Sequence, residues 1–110
     1  MTNREAVASK CEPYSPSENA IEAYYTDACG KYAGDDIDSD YSVSNIKTVN
    51  YAAMLCLCNF RPLTNENLGG ISQSYDVAKI DRMIKALAAA AGLDASELLA
   101  TGDIPTIKFL

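Results

Sequence analysis

The chain has 110 residues, nine basic against fifteen acidic side chains, and a formal net charge of −6. This length indicates one domain with a modest core, and such a domain leaves much apolar surface exposed unless a partner covers it. The negative charge disfavours direct binding to nucleic acid or to an anionic membrane. No apolar run is long enough to span a bilayer, and the first ten residues lack a signal-peptide pattern, so we expect the chain to stay in the cytoplasm where it is made.

Helix signals begin at the second residue. Thr2 and Glu5 form a capping box for a short first helix, which Pro13 ends soon after Cys11.

A second helix is predicted from Ser15 as N-cap, with Pro16 at the first helical position and Glu18 at the third. It is expected to end near Cys29, with Gly30 just past its end. Its apolar stripe has helical spacing and consists of Ile21, Tyr24, Tyr25 and Ala28.

An acidic loop, GDDIDSDYS, follows. Asp36, Asp38 and Asp40 occupy the first, third and fifth places of a calcium-binding loop. The sixth place is Tyr41 instead of glycine and the twelfth is Lys47 instead of glutamate, so the motif fails. The sequence favours a solvated loop that also caps the next helix.

The third helix, predicted over 44–59, is the most apolar part of the chain. Its stripe consists of Val43, Ile46, Val49, Ala53, Met54 and Leu57, while Leu55, Cys56 and Cys58 fill the other sides. A helix that is apolar all round must be covered all round, by its own chain or by another copy. Asn50 falls inside the stripe and needs a hydrogen-bond partner there.

The four cysteines are Cys11, Cys29, Cys56 and Cys58. On one helix Cys56 and Cys58 point about 200° apart, so they cannot share a disulfide or a metal ion. The chain has no histidine, so a zinc site would need four thiolates. The cysteines are predicted to be small reduced core residues.

Residues 63–80, LTNENLGGISQSYDVAKI, interrupt the helical pattern with paired glycines and an alternating Ile71, Gln73 and Tyr75. A fourth helix then begins near Asp76 and ends at Gly92. Its core stripe consists of Val77, Ile80, Ile84, Leu87, Ala88 and Ala91, with Met83 at the margin. The far side carries Lys79, Arg82, Lys85, Ala86, Ala89 and Ala90. These alanines either favour the helix by propensity or permit close approach of a neighbouring helix.

A last short helix is predicted after Asp94, with Glu97 as its box partner, ending by Gly102. Residues 103–110, DIPTIKFL, cannot form a helix at Pro105 and form an apolar extended tail that should dock on something. The prediction is therefore an all-α bundle of about four to five helices over 1–102, with an irregular or extended loop at 63–75 and an extended tail at 103–110.

Signatures of catalysis are missing from the sequence. It has no histidine, no phosphate-binding glycine loop and no GxSxG serine. We therefore predict no enzyme activity, no cofactor and no metal, which leaves binding or assembly.

The order of parts, short helices, the segment GGISQSYD, a basic-faced helix and a detached tail, resembles the head-tail connector (adaptor) proteins of tailed bacteriophages. The segment is similar to a Gly-x-x-Ser-x-Ser-Tyr pattern before the last long helix of those proteins. The matching residues here are Gly69, Ile71, Ser72, Ser74 and Tyr75.

The resemblance implies a structural virion protein, made in the bacterial host cytoplasm and located in the neck. About a dozen copies would form a ring that joins the capsid portal protein to the tail or the next neck-ring protein. DNA would pass through the channel without sequence-specific binding, and an acidic wall would let it slide. The interface residues would be Gly69, Gly70, Ile71, Ser72, Ser74, Tyr75, Ile104, Ile107, Phe109 and Leu110.

Other interpretations stay open at this point. The loop could pack Ile71 and Tyr75 on its own core, and the tail could fold back along its own helices. A small acidic regulator or inhibitor would instead present the carboxylates of Asp35, Asp36, Asp38 and Asp40 to a basic, nucleic-acid-binding partner. A helix-turn-helix regulator would need more exposed basic residues than the fourth helix provides.

Overall fold

A computed structural model describes residues 1–60, 77–96 and 98. This part of the chain contains four α-helices. They are α1 (Asn3–Cys11), α2 (Glu18–Tyr32), α3 (Ile46–Cys58) and α4 (Val77–Ala91), with a 3-10 turn at Val43–Asn45. The described ranges contain no strand, only an isolated bridge between Thr2 and Asp40. The predicted all-α class is confirmed. The predicted loop at 63–75 and tail at 103–110 lie outside the described residues.

Helix α3 is the centre of the bundle. The helices α1, α2 and α4 each pack against it, and α1 and α2 also contact each other. Burial therefore extends around most of its circumference, at Thr48, Val49, Asn50, Ala52, Ala53, Met54, Cys56 and Leu57. Of the two predicted ways to cover an apolar helix, the chain uses its own helices.

The buried Asn50 links α3 to α4. Its side-chain Nδ2 donates a hydrogen bond of 2.9 Å to the carbonyl oxygen of Leu87. The predicted need for a polar partner is thus met across the helix contact, although Oδ1 of Asn50 accepts no hydrogen bond from the described residues.

Helix α1 begins and ends as predicted. The Thr2 hydroxyl accepts from the Glu5 amide at 3.1 Å, and the Glu5 carboxylate accepts from the Thr2 amide at 2.9 Å, which completes the capping box. The helix ends at Cys11, two residues before Pro13.

The predicted bounds of α2 were wrong at both ends. Its N-cap is Ser17, whose hydroxyl accepts from the Ala20 amide at 3.0 Å, so Pro16 precedes the helix instead of opening it. The helix continues through Gly30 to Tyr32, and the chain turns at Ala33, which has a φ of 67°. The Tyr32 ring packs edge-on against Tyr51 with centroids 5.3 Å apart, which holds the extra turn on α3. Ile21, Tyr25 and Ala28 are buried as predicted, and Tyr24 is half-buried.

The start of the third helix also differs from the prediction. Val43 was expected in the apolar stripe, but it is 82% exposed. It lies in the 3-10 turn, whose three residues per turn place its side chain off the stripe of the following α-helix. The acidic loop does not cap this helix, because neither Ser42 nor Asn45 makes a side-chain capping bond.

Helix α4 matches its predicted extent, and Gly92 follows it with a φ of 72°. Ile80, Ile84, Ala88 and Ala91 are buried, and Met83 and Leu87 are half-buried. After the helix, the Asp94 carboxylate accepts a 2.9 Å bond from the Ser96 amide, as a helix N-cap would. Glu97 and Gly102 of the predicted last helix lie outside the described residues. No described helix combines the length and the apolar character needed to cross a bilayer.

All four cysteines are free thiols, but only Cys11 and Cys56 are buried as the prediction of core residues requires. Cys11 and Cys56 are buried side by side between α1 and α3, and the Cys11 thiol donates to the Ala53 carbonyl at 3.6 Å. The hydrogen bond with Cys56, followed by burial, raises the pKa of Cys11, which therefore stays a neutral thiol. Cys29 and Cys58 are half-buried.

Candidate functional site

The residues assigned to an interface from the sequence all lie outside the described part of the chain. They are Gly69, Gly70, Ile71, Ser72, Ser74, Tyr75, Ile104, Ile107, Phe109 and Leu110. The candidate surfaces within the described residues lie on α1, α2, α4 and the acidic loop.

The side of α4 that faces away from α3 carries alanines and basic residues. We call it the outer face of α4 and define it by its exposed residues, Ala78, Lys79, Arg82, Lys85, Ala86, Ala89 and Ala90. This division into a buried stripe and a basic, alanine-rich far side was predicted and is confirmed. Neither Arg82 nor Lys85 forms an ion pair with another residue in the described ranges. The outer face thus combines small alanine side chains with positive charge.

Helix α2 has a comparable surface of opposite charge. Its outer face is defined by the exposed residues Asn19, Glu22, Ala23, Thr26, Asp27 and Gly30. The small side chains lie on one side at helical spacing, and the two carboxylates flank them. This surface was not recognised in the sequence, because Gly30 was placed beyond the end of the helix.

A four-residue ion cluster joins α1, α2 and the acidic loop. The Arg4 Nη1 atom lies 3.0 Å from a Glu18 carboxylate oxygen and 2.7 Å from one of Glu22. Its Nε atom lies 3.0 Å from a carboxylate oxygen of Asp38. Three carboxylates therefore surround one guanidinium, which leaves the cluster with a net negative charge. Arg4 is distant in the sequence from each of its three partners, so no local pattern indicated their contact.

The electrostatics of this cluster follow from its hydrogen bonds. The hydrogen bonds that Arg4 donates to Asp38 and Glu22 raise the pKa of the guanidinium above its ordinary value. The same contact with Arg4 lowers the pKa of Asp38. Arg4 is thus a permanent cation, and its contact favours the ionised form of Asp38.

The acidic loop is also attached to the start of α1 through the backbone. The amides of Asn3 and Arg4 each donate a 2.9 Å bond, to the carbonyls of Ser39 and Ile37. The buried side chain of Asn3 donates a further 2.9 Å bond to the Asp36 carbonyl. The backbone of the loop is therefore held against α1. The prediction of a solvated loop applies only to its side chains.

The base of the loop is also bonded to Asn45, in the 3-10 turn before α3. The Asn45 side chain accepts from the Asp35 amide at 3.0 Å and donates to the Asp35 carboxylate at 3.1 Å. The Asp36 carboxylate accepts a 2.9 Å bond from the Asp38 amide, so the carboxylates of Asp35, Asp36 and Asp38 are all bonded within the chain, although they remain exposed. Within the described ranges, no three cysteine or acidic side chains come together as metal ligands.

Charge is distributed unevenly along the described chain. Residues 1–60 contain nine carboxylates and four cations, whereas α4 contains three cations and one carboxylate. The outer faces of α2 and α4 therefore differ in the sign of their charge, and both are available for contact with another molecule.

Removal of the carboxylate in Asp38→Asn should lower the melting temperature at neutral pH, because Arg4 loses an ionised partner. A lowered folded-state pKa means that the stabilisation by Asp38 is present above its unfolded pKa of about 4 and is lost as pH falls through that value to the folded one. The melting curves of wild type and Asp38→Asn should therefore converge below about pH 4. Thermal denaturation across this pH range measures the convergence.

The matched control is Asp27→Asn, which removes an exposed carboxylate with no ion pair in the described ranges. Its melting temperature should stay close to that of wild type at every pH. A constant difference between wild type and Asp38→Asn from neutral to acid pH would contradict the role of the Arg4 contact.

Comparison with known proteins gives one positive result. A family model described as a family of unknown function (DUF6706) matches residues 1–109. Searches of curated proteins and of solved structures gave no match. Because the match extends over nearly the whole sequence, the chain belongs to this family of unknown function, DUF6706.

Proposed function

We propose that this chain is a structural virion protein, a subunit of the head-to-tail connector ring that joins the capsid portal to the tail and extends the DNA channel. The observation that carries the proposal is the position of α4. This helix begins at Val77, two residues after the connector-like segment that ends at Tyr75, and its outer face is basic and exposed. The resemblance to connector proteins requires a basic-faced helix at this place.

The distribution of charge supports a channel role. The carboxylates of Glu18, Asp36, Asp38 and Asp40 form a negative surface across the start of α2 and the loop. Such a surface repels phosphates, so it would line a channel through which DNA slides. The cations of α4 would then be directed to protein contacts.

The proposed partners are other copies of the chain, about twelve in the resembled rings, the portal protein, and the tail or the next neck-ring protein. Contacts would come from the segment that contains Gly69, Gly70, Ile71, Ser72, Ser74 and Tyr75, and from the tail residues Ile104, Ile107, Phe109 and Leu110. A subunit of such a ring needs no cofactor and no membrane.

The direct test is copurification with the portal protein encoded in the same genome. We expect the chain to elute with the portal ring, and we expect deletion of 103–110 to abolish the complex. Tyr75→Ala and Phe109→Ala should leave a folded helical protein but weaken assembly by about 1–3 kcal/mol each if these residues are central anchors. Val43→Ala, at a highly exposed position on the described surface, is the control and should bind normally.

The same experiment separates the proposal from the acidic regulator or inhibitor. An inhibitor would bind a basic partner one to one, with an affinity that falls steeply as salt rises. The bonds that Asp35, Asp36 and Asp38 make within the chain argue against that role, because three of its four proposed carboxylates are already bonded. Absence of a portal complex, together with a salt-sensitive one-to-one complex, would overturn the connector proposal.

A further inference from the structure

The outer face of α2 contains a glycine that the fold does not require. Gly30 lies in the last turn of the helix and is exposed, and a Cβ atom built on it meets nothing within 4 Å. Glycine within a helix is destabilising by roughly 0.5–1 kcal/mol relative to alanine. Packing inside the chain therefore gives no reason for it. Close approach of a backbone from another molecule would give a reason for a glycine at this position.

The outer face of α4 is complementary to that surface in charge and relief. Ala86 and Ala89 provide a low surface, and Arg82 and Lys85 lie beside them. On α2, Ala23 and Gly30 provide the low surface, with Asp27 at its side. Two helices with small residues at their contact pack with their axes about 8 Å apart, close enough for the flanking charges to pair.

We propose that the outer face of α4 in one copy docks on the outer face of α2 in a second copy. Like faces would not pair, because α4 against α4 brings together the cations of Arg82 and Lys85, and α2 against α2 brings together carboxylates. The contact is therefore between two different surfaces, and each copy keeps one of them free for the next copy. Repetition of such a contact closes into a ring when the rotation between copies allows it.

This inference deepens the proposed function and rests on it for its biological meaning, since it names the surfaces through which ring subunits would meet. Helices α2 and α4 both pack on α3 and make at most a weak contact with each other, so their outer faces can contact different neighbours. Exposed ion pairs contribute little each, about 0–1 kcal/mol. Association of the isolated chain should therefore be weak, and visible at high protein concentration and low ionic strength.

The test uses charge reversal on each face, followed by sedimentation analysis of the variants alone and mixed. Arg82→Glu reverses a charge on α4, and Asp27→Lys reverses one on α2. Each variant alone should self-associate at least about fivefold more weakly than wild type, because one attractive pair becomes repulsive. An equimolar mixture should regain association, since the new glutamate on α4 meets the new lysine on α2.

Matched controls separate the contact from net charge. Lys47→Glu and Glu12→Lys make the same changes in charge at exposed positions outside both faces, and they should associate as wild type does. Gly30→Gln adds bulk without charge at a position with open space in its own chain, so it should remain folded and associate more weakly. Circular dichroism of each variant confirms the fold.

Several results would overturn the inference. These are a wild type that stays monomeric at high concentration and low salt, controls that weaken association as much as the face variants, or a mixture that does not associate. Binding of duplex DNA that Arg82→Glu abolishes, without any self-association, would assign the face to nucleic acid instead. Normal copurification of both face variants with the portal would contradict this contact between copies and would leave the connector proposal unaffected.

Discussion

Leu57→Ala is expected to lower the free energy of unfolding by about 2–5 kcal/mol, as measured by urea denaturation. Leu57 is 0% exposed and lies on α3, where helices from three directions meet. Truncation leaves a cavity that the surrounding helices cannot fill, because α3 is held between them. Since domains of this size are stable by only about 5–15 kcal/mol, the variant should lose a large part of its stability.

The matched control is Val43→Ala, an apolar truncation at the other end of the same predicted stripe. Val43 is 82% exposed, so its truncation removes almost no buried contact. Its free energy of unfolding should stay within about 0.5 kcal/mol of wild type. Equal losses in the two variants would show that the packing around α3 is not what stabilises the bundle.

The helices could be predicted because their signals are local. The capping box of Thr2 and Glu5 and the glycine after α4 each act within a few residues, and both were found where expected. The apolar spacing of Ile80, Ile84 and Ala88 likewise indicated the buried side of α4. No pattern in these ranges competes with the helical one, so the sequence predicts helices there.

Errors arose where a tertiary contact outweighed a local signal. Gly30 was expected to end α2, but the packing of Tyr32 on Tyr51 continues the helix past it. Val43 fits the period of an α-helix, yet the chain enters α3 through a tighter turn that moves it into solvent. Periodicity assumes one helix geometry throughout, and it cannot detect such a change.

The candidate surfaces were predictable only in part. The basic side of α4 follows from spacing alone, since Arg82 and Lys85 fall opposite the apolar stripe. The Arg4 cluster could not be found in this way, because its partners are 14, 18 and 34 residues away. Only the packing of α1 against α2 and the loop brings these charges together.

The second large effect is expected from Gly34→Ala, which should lower the free energy of unfolding by about 1–3 kcal/mol. A Cβ atom at this position would lie 2.9 Å from Cγ2 of Thr48 and 3.0 Å from its Oγ1. Thr48 is buried, and its hydroxyl donates a 2.5 Å bond to the Ala33 carbonyl, so the side chain cannot rotate away without breaking that bond. Thermal and urea denaturation would measure the loss.

Gly30→Ala is the matched comparison, because it makes the same change four residues earlier, where a Cβ atom meets nothing within 4 Å. It should leave stability unchanged or raise it by up to about 1 kcal/mol, since alanine favours the helix. The two glycines thus separate a steric requirement of the fold from a position that the fold leaves open. Tolerance of Gly34→Ala to the same degree would mean that Thr48 and the Ala33 turn can shift together, and the close approach of the chain to α3 would then not be needed for folding.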